Sequence, residues 1–107
     1  MLHIPTSDEE FNTLIESSNK MLVVVDFKAT WCKQCSKIQP FFARLPSKYQ
    51  NAVFTTIDVD TFSTHPEVID VELLPTFKLY KNRKVIATLS GAKKTQLETL
   101  INQHIST

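Results

Sequence analysis

The feature that most constrains the fold is an apolar, β-branched run that leads into two closely spaced cysteines. Residues 21–27 read Met-Leu-Val-Val-Val-Asp-Phe, and Cys32 and Cys35 follow as the only cysteines of the 107 residues. Such a run predicts a central strand that is covered on both faces. The apolar residues after the pair recur at helical spacing: Ile38, Phe41, Phe42 and Leu45. The chain therefore places two thiols between a buried strand and a helix.

The other segments continue this alternation of strands and helices. Strands are predicted at residues 2–4, 22–27, 53–59, 76–80 and 85–89. Helices are predicted after Ser7, over residues 35–47, around residues 66–71 and near the C-terminus. Strands and helices alternate early in the chain, which implies parallel strands joined by crossover helices. The hairpin late in the chain implies an antiparallel strand at the edge of the sheet. We therefore predict one α/β domain over residues 1–107, with a mixed five-stranded sheet flanked by four helices.

Composition and charge exclude several classes of protein. The net charge of +1 gives no reason to expect a nucleic-acid partner. The apolar run is interrupted at Asp26 and is far too short to span a membrane. Residues 1–5 lack the pattern of a secretory signal. We therefore expect a cytoplasmic protein with no membrane partner. Residues 58–72 carry only acidic charges and residues 78–94 only basic ones. These segments are either two solvated faces or surfaces that orient a docking partner.

The spacing of the two cysteines indicates redox chemistry. A Cys-x-x-Cys pair closes a small ring, so the dithiol and the disulfide interconvert without a large rearrangement. A helix N-terminus at Cys32 would stabilise its thiolate, and Lys33 would add a nearby positive charge. Cys35, one turn deeper, would then resolve a mixed disulfide. The alternative is a metal site, which needs two further soft ligands; His3, His65 and His104 are scattered, although a dimer could supply four thiolates.

Asp26 and Pro75 each allow two interpretations. Asp26 interrupts the buried run, and it is either an aspartate exposed at the strand end or a buried proton acceptor beneath the sulfurs; we favour the acceptor. Pro75 stands before a strand, where base rates for X-Pro bonds favour an ordinary trans proline.

These residues together resemble the thioredoxin family. The chain carries Asp26-Phe27-x-Ala29-x-Trp31-Cys32-x-x-Cys35 followed by Pro40, and later Leu74-Pro75-Thr76-Phe77. Both segments match the family's signatures in order and separation, and the length and element order agree along nearly the whole chain. The resemblance implies the thioredoxin fold and a dithiol–disulfide oxidoreductase.

The resemblance also implies roles for individual residues. Cys32 would be the attacking thiol, Cys35 the resolving thiol, Asp26 the buried carboxylate, and Pro75 a cis proline that faces the disulfide. Substrates would bind as an added strand along a groove formed by Trp31, Leu74, Pro75, Gly91 and Ala92. The partners would be disulfide-containing client proteins and, as electron donor, a flavin-containing, NADPH-dependent thioredoxin reductase. This chain would hold no cofactor and no metal, and we expect it to act as a monomer.

The sequence departs from the family pattern at three places. Lys33-Gln34 replaces the usual Gly-Pro, and the added positive charge predicts a less negative reduction potential. The altered pair leaves open a specialised oxidoreductase with restricted clients or poor coupling to the general reductase. A third interpretation is a non-catalytic binding module or a metal-bridged dimer that uses the same groove. Thr56 stands where relatives often carry Lys or Glu, and Arg83 stands where a turn glycine is usual, which predicts a different turn type.

Overall fold

The computed structural model describes residues 1–106 and contains one five-stranded mixed sheet in the order β1-β3-β2-β4-β5. The strands are β1 (Leu2–His3), β2 (Leu22–Lys28), β3 (Ala52–Asp58), β4 (Thr76–Lys81) and β5 (Lys84–Ser90). The helices of this range are α1 (Asp8–Glu16), α2 (Lys33–Lys48) and α3 (Lys94–His104), with a short 3-10 turn at Ser17–Asn19. The α/β class and the five-stranded mixed sheet were therefore predicted correctly.

β2 lies at the centre of the sheet, as its composition predicts. It pairs with β3 in parallel and with β4 in antiparallel orientation, so its backbone hydrogen bonds are satisfied on both sides. All of its residues except Lys28 are buried. The register places Asp26 between Thr56 of β3 and Phe77 of β4. The strand that leads to the cysteines is therefore hydrogen-bonded along both edges and buried over nearly its whole length.

The two faces of β2 pack into two separate clusters. Leu22 and Val24 face α2 and α3, where the core includes Phe42 and Ile101. The alternate residues, among them Val25, face α1 and the segment that follows β3. Because side chains alternate along a strand, Asp26 projects to the same face as Val24, toward α2. The sheet thus directs this carboxyl group toward the helix that carries Cys35.

The prediction of four flanking helices was wrong by one helix. Within residues 1–106 the predicted helix around 66–71 is absent, and residues 66–70 form consecutive turns. The segment is too short to offset the free-energy cost of helix nucleation, and its β-branched residues have low helix propensity. Side-chain contacts hold it instead: Val68 is buried in the core, and the Lys78 ammonium group donates to the Glu67 carbonyl at 2.7 Å and to Asp70 at 2.9 Å.

The turn between β4 and β5 holds two non-glycine residues, Asn82 and Arg83, at positive φ. Asn82 has φ 52° and Arg83 has φ 63°, the left-handed conformation that a type I′ turn requires at both central positions. The amide of Asn82 donates to the Ser18 carbonyl at 2.8 Å, and the amide of Arg83 donates to the Ser18 hydroxyl at 2.7 Å. Arg83 thus adopts a conformation that favours glycine, and the expectation of a turn type different from that of relatives stays a prediction.

No helix within residues 1–106 is both long enough and apolar enough to cross a membrane.

Candidate active site

The two cysteines lie at the N-terminus of α2 and form a disulfide. Cys32 is the N-cap residue, with φ −88° and ψ 112°, and its sulfur accepts a hydrogen bond from the Cys35 amide at 3.2 Å. The Cα atoms of the pair lie 5.3 Å apart, an ordinary separation for a disulfide. The Cys32 sulfur thus occupies the place of a capping oxygen, where free amides and the helix dipole favour negative charge.

Solvent exposure does not separate the roles of the two cysteines. Cys32 is 5% exposed and Cys35 is 3% exposed, so both lie largely below the surface. What distinguishes them is position, because the amide of Cys35 points at the sulfur of Cys32 and not the reverse. The Cys32 sulfur, and not the Cys35 sulfur, therefore lies at the positive end of the α2 dipole.

Lys33 and Gln34 lie on the exposed side of the first turn of α2. The Gln34 side-chain oxygen is 3.8 Å from the Cys32 sulfur. In the disulfide this sulfur carries no hydrogen, so the approach is a contact; in the dithiol it brings the Gln34 amide within reach of the thiol. Gln34 therefore contacts the redox centre directly, and Lys33 adds a positive charge near it.

Asp26 is completely buried, which contradicts the alternative of an aspartate exposed at the strand end. Neither carboxyl oxygen has a hydrogen-bond partner within the described protein, and the neighbouring Thr56 hydroxyl has none either. Burial raises the pKa of the Asp26 carboxyl from 3.8 to about 7, and the charge of Lys28 opposes part of this rise. A carboxyl group with such a pKa exchanges protons readily near neutral pH.

Leu74, one of the predicted groove residues, packs against the cluster that contains Cys32 and Cys35, and the groove as a whole stays a prediction. The Leu74–Pro75 bond is cis, as the resemblance implied and base rates alone did not. The amide of Gly91 donates to the Pro75 carbonyl at 2.8 Å and joins the two loops that precede β4 and follow β5. Gly91 has φ 100°, a conformation that requires glycine, and Ala92 beside it is exposed.

Trp31 directly precedes Cys32, and one hydrogen bond holds its ring. Its side chain is 69% exposed, yet its indole N–H donates to the Asp60 carboxylate at 2.9 Å. Sequence reasoning assigned no role to Asp60, although an acidic residue directly after a buried strand is a signal that could have identified it. The bond fixes one side of the large ring beside Cys32.

The histidines do not assemble a metal site with the cysteines. No group of three His, Cys, Asp or Glu side chains suitable for a metal ion occurs in residues 1–106. His65 is buried and has other partners: it contacts the Asn12 side-chain oxygen at 2.8 Å and accepts from the Glu67 amide at 3.0 Å.

Fold and site together define a class of protein. A cysteine pair at a helix N-terminus, a cis proline and a buried carboxyl on a mixed sheet are the parts of a dithiol–disulfide oxidoreductase. The family model for thioredoxin matches residues 3–103. The chain therefore belongs to the thioredoxin family, and its cysteine pair makes it a protein-disulfide reductase.

Individual relatives agree with this assignment. The chain is 39% identical to a thioredoxin from Callithrix jacchus over 99 residues, which covers 92% of this chain and 94% of that one. It is 42% identical to a thioredoxin from Ovis aries over 95 residues, with 89% and 90% covered. The crystal structure of a thioredoxin from Nicotiana alata superposes with a TM-score of 0.91 at 34% identity and covers 98% of this chain and 93% of that one. The solution structure of oxidised thioredoxin from Plasmodium falciparum gives 0.87 at 39% identity, with 99% and 100% covered.

Proposed function

We propose that this protein is a general reductant of disulfides in client proteins, with Cys32 as the attacking thiol and Cys35 as the resolving thiol. The observation that carries this proposal is the hydrogen bond from the Cys35 amide to the Cys32 sulfur at the start of α2. In the dithiol form the same amide stabilises a Cys32 thiolate, which is the nucleophile. Cys35 lies one turn further along the helix, where it is shielded from solvent.

The reaction proceeds in two exchanges. The Cys32 thiolate attacks a client disulfide and forms a mixed disulfide, while the second client sulfur leaves as a thiolate. Asp26 then accepts the Cys35 proton, and the Cys35 thiolate attacks the Cys32 sulfur. The Cys32–Cys35 disulfide forms, and the first client sulfur leaves. Two electrons have moved to the client.

The client binds as an extended segment along Trp31, Leu74, Pro75, Gly91 and Ala92. Because the Pro75 carbonyl is occupied by Gly91 and proline has no N–H, we place the client's backbone bonds on Leu74. The exposed ring of Trp31 covers the client beside the attacked sulfur. This binding mode selects an accessible, extended disulfide over a particular side-chain sequence.

Electrons return to the protein from a separate reductase. We propose an NADPH-dependent, flavin-containing thioredoxin reductase as the donor and a monomer as the active form. The cytoplasmic location and the single domain over residues 1–107 stay predictions. Light scattering on the reduced and oxidised protein tests the monomer, for which the mass is 12.2 kDa.

A trapping experiment tests the roles of the cysteines. Cys35→Ser should accumulate a mixed disulfide with an unfolded, disulfide-containing client such as insulin chains, because the resolving thiol is missing. Cys32→Ser is the matched control and should trap little. If Cys32→Ser traps the client and Cys35→Ser does not, the assigned roles are reversed and the proposal fails.

Activity assays separate the alternative functions. Insulin reduction driven by dithiothreitol should proceed in this protein, and a chain that only binds partners or bridges a zinc ion would show none. Replacing dithiothreitol by NADPH and a thioredoxin reductase should sustain the reaction. Activity with dithiothreitol alone would favour the specialised oxidoreductase, which the contact between Gln34 and Cys32 keeps as a second candidate.

A further inference from the structure

A small cavity lies beside Cys35, between the end of β2 and the first turns of α2. Its volume is about 100 Å³, and it is lined by Lys28, Ala29, Thr30, Cys35, Ser36 and Gln39. Lys28 is the charged residue of this wall. The resolving thiol therefore shares a cavity with an ammonium-bearing side chain that the assigned chemistry does not use.

Lys28 is also placed to act on Asp26. The two residues are two positions apart on β2, so their side chains project to the same face, about 7 Å apart along the strand. Asp26 is buried without a hydrogen-bond partner in the described protein. An unpaired buried carboxylate responds strongly to a nearby charge because little solvent screens it. Lys28 contacts Asp58 at 3.9 Å, too long for a tight pair, so its charge is only partly neutralised there.

Few other ionic groups face Asp26 from the elements packed around it. β3 contributes Asp58, at the same end as Lys28, and the uncharged Thr56. β4 contributes the apolar Phe77, since Lys78 projects to the opposite face over the Phe27 ring. α3 contributes apolar core residues. From α2, Cys35 and the uncharged Ser36 and Gln39 line the cavity together with Lys28.

We propose that Lys28 is a positioning residue for the resolving step, and that its charge sets the pH at which Asp26 accepts the Cys35 proton. The inference rests on the proposed function, in which Asp26 is the proton acceptor. The Cys35 S–H proton moves to the ionised Asp26, the Cys35 thiolate attacks the Cys32 sulfur of the mixed disulfide, and the client sulfur leaves as a thiolate. Lys28 takes no part in bond making; it favours the ionised form of Asp26 before the transfer.

The experiment compares Lys28→Met with Lys28→Arg in the reduced, full-length protein. The midpoint of the Asp26 titration is followed by carboxyl ¹³C NMR. Removing the charge should move this midpoint to higher pH by about half to one pH unit, as a partly screened neighbour would. Lys28→Arg should keep the wild-type midpoint, and Lys84→Met, which removes an exposed charge on β5, serves as the control. Lys28→Gln repeats the test if Lys28→Met does not fold.

The pH profile of insulin reduction is measured on the same variants. Its rise should move to higher pH in Lys28→Met together with the Asp26 midpoint. An unshifted Asp26 midpoint, or equal shifts in Lys28→Met and Lys28→Arg, would overturn the role of Lys28. A shifted midpoint with an unshifted rate profile would instead overturn Asp26 as proton acceptor, which is the resolving step of the proposed function. The two failures are therefore distinguishable.

Discussion

Replacing Asp26 by Asn should remove a loss of stability that the wild-type protein suffers as pH rises. The folded state holds the Asp26 carboxyl with a pKa of about 7, whereas its usual value is 3.8. Below pH 4 the carboxyl is protonated in both the folded and the unfolded chain, so burial of the neutral group carries no ionisation penalty. Between pH 4 and 7 the unfolded chain releases the proton and the folded chain retains it, so stability falls as pH rises. Above pH 7 both states are ionised and the penalty stays at its maximum.

The size of this penalty follows from the same two values. They differ by about three pH units, and each unit corresponds to about 1.4 kcal/mol, so wild-type stability should fall by about 4 kcal/mol across the interval. Asp26→Asn cannot ionise and lacks this loss. Its buried amide adds an offset of about 1–3 kcal/mol that does not depend on pH, because its polar atoms also lack partners. The pH dependence, not the absolute stability, is therefore the quantity to measure.

Urea denaturation of the oxidised proteins at several pH values from 4 to 8 provides the assay. The difference in unfolding free energy between Asp26→Asn and wild type should grow by about 4 kcal/mol toward pH 8. Other groups titrate alike in both proteins and cancel in this difference. Glu16→Gln removes an exposed carboxylate at the end of α1, and its difference from wild type should stay nearly constant. A flat difference for Asp26→Asn would refute the raised pKa and the argument from burial.

Three further predictions concern the turn, the first helix and the pair between the cysteines. Arg83→Gly should raise the unfolding free energy by about 1 kcal/mol in thermal or urea denaturation, because only glycine adopts the observed left-handed φ without strain. Asn82→Gly should raise it less. A lower unfolding free energy for Arg83→Gly would contradict the turn geometry. Ser7→Ala should cost about 1 kcal/mol, because the Ser7 hydroxyl caps α1 by accepting from the Glu10 amide at 3.1 Å; no change would mean that the cap is not used. Replacing Lys33-Gln34 by Gly-Pro should make the reduction potential more negative in a glutathione titration. The shift should be roughly 30 mV for every ~1.4 kcal/mol by which the dithiol form is destabilised relative to the disulfide. An unchanged potential would show that Lys33 does not set it.

The charge segregation noted along the chain is partly internal to the fold. Lys78, from the basic segment, is only 5% exposed and pairs with Asp70 of the acidic segment. Tyr80 donates to the Glu67 carboxylate at 2.7 Å beside it. These contacts attach residues 66–71 to β4, so part of both segments holds the fold together and is not free to orient a partner.

The sequence alone determined the features that depend on local pattern. The β-branched run fixed β2 as a central strand, helical spacing fixed α2, and the signature around Cys32, Cys35 and Pro75 identified the family. Each of these signals lies within a short stretch, where strand propensity, helical periodicity or the spacing of reactive groups is sufficient. The Ser7 cap was predictable for the same reason.

Only the tertiary structure decided the features that depend on distant contacts. Whether Asp26 is exposed or buried is set by its pairing with β3 and β4 and by the cover of α2, none of which is encoded next to it. The hydrogen bonds from Lys78 of β4 to Glu67 and Asp70 hold the turns of this segment in place, and the local sequence does not specify these bonds. Lys28 carries no functional signal in the sequence, and only the packing of α2 against the end of β2 places it in a cavity with Cys35. Burial and charge proximity arise from the assembled fold, and they set the pKa of Asp26, the proposed proton acceptor.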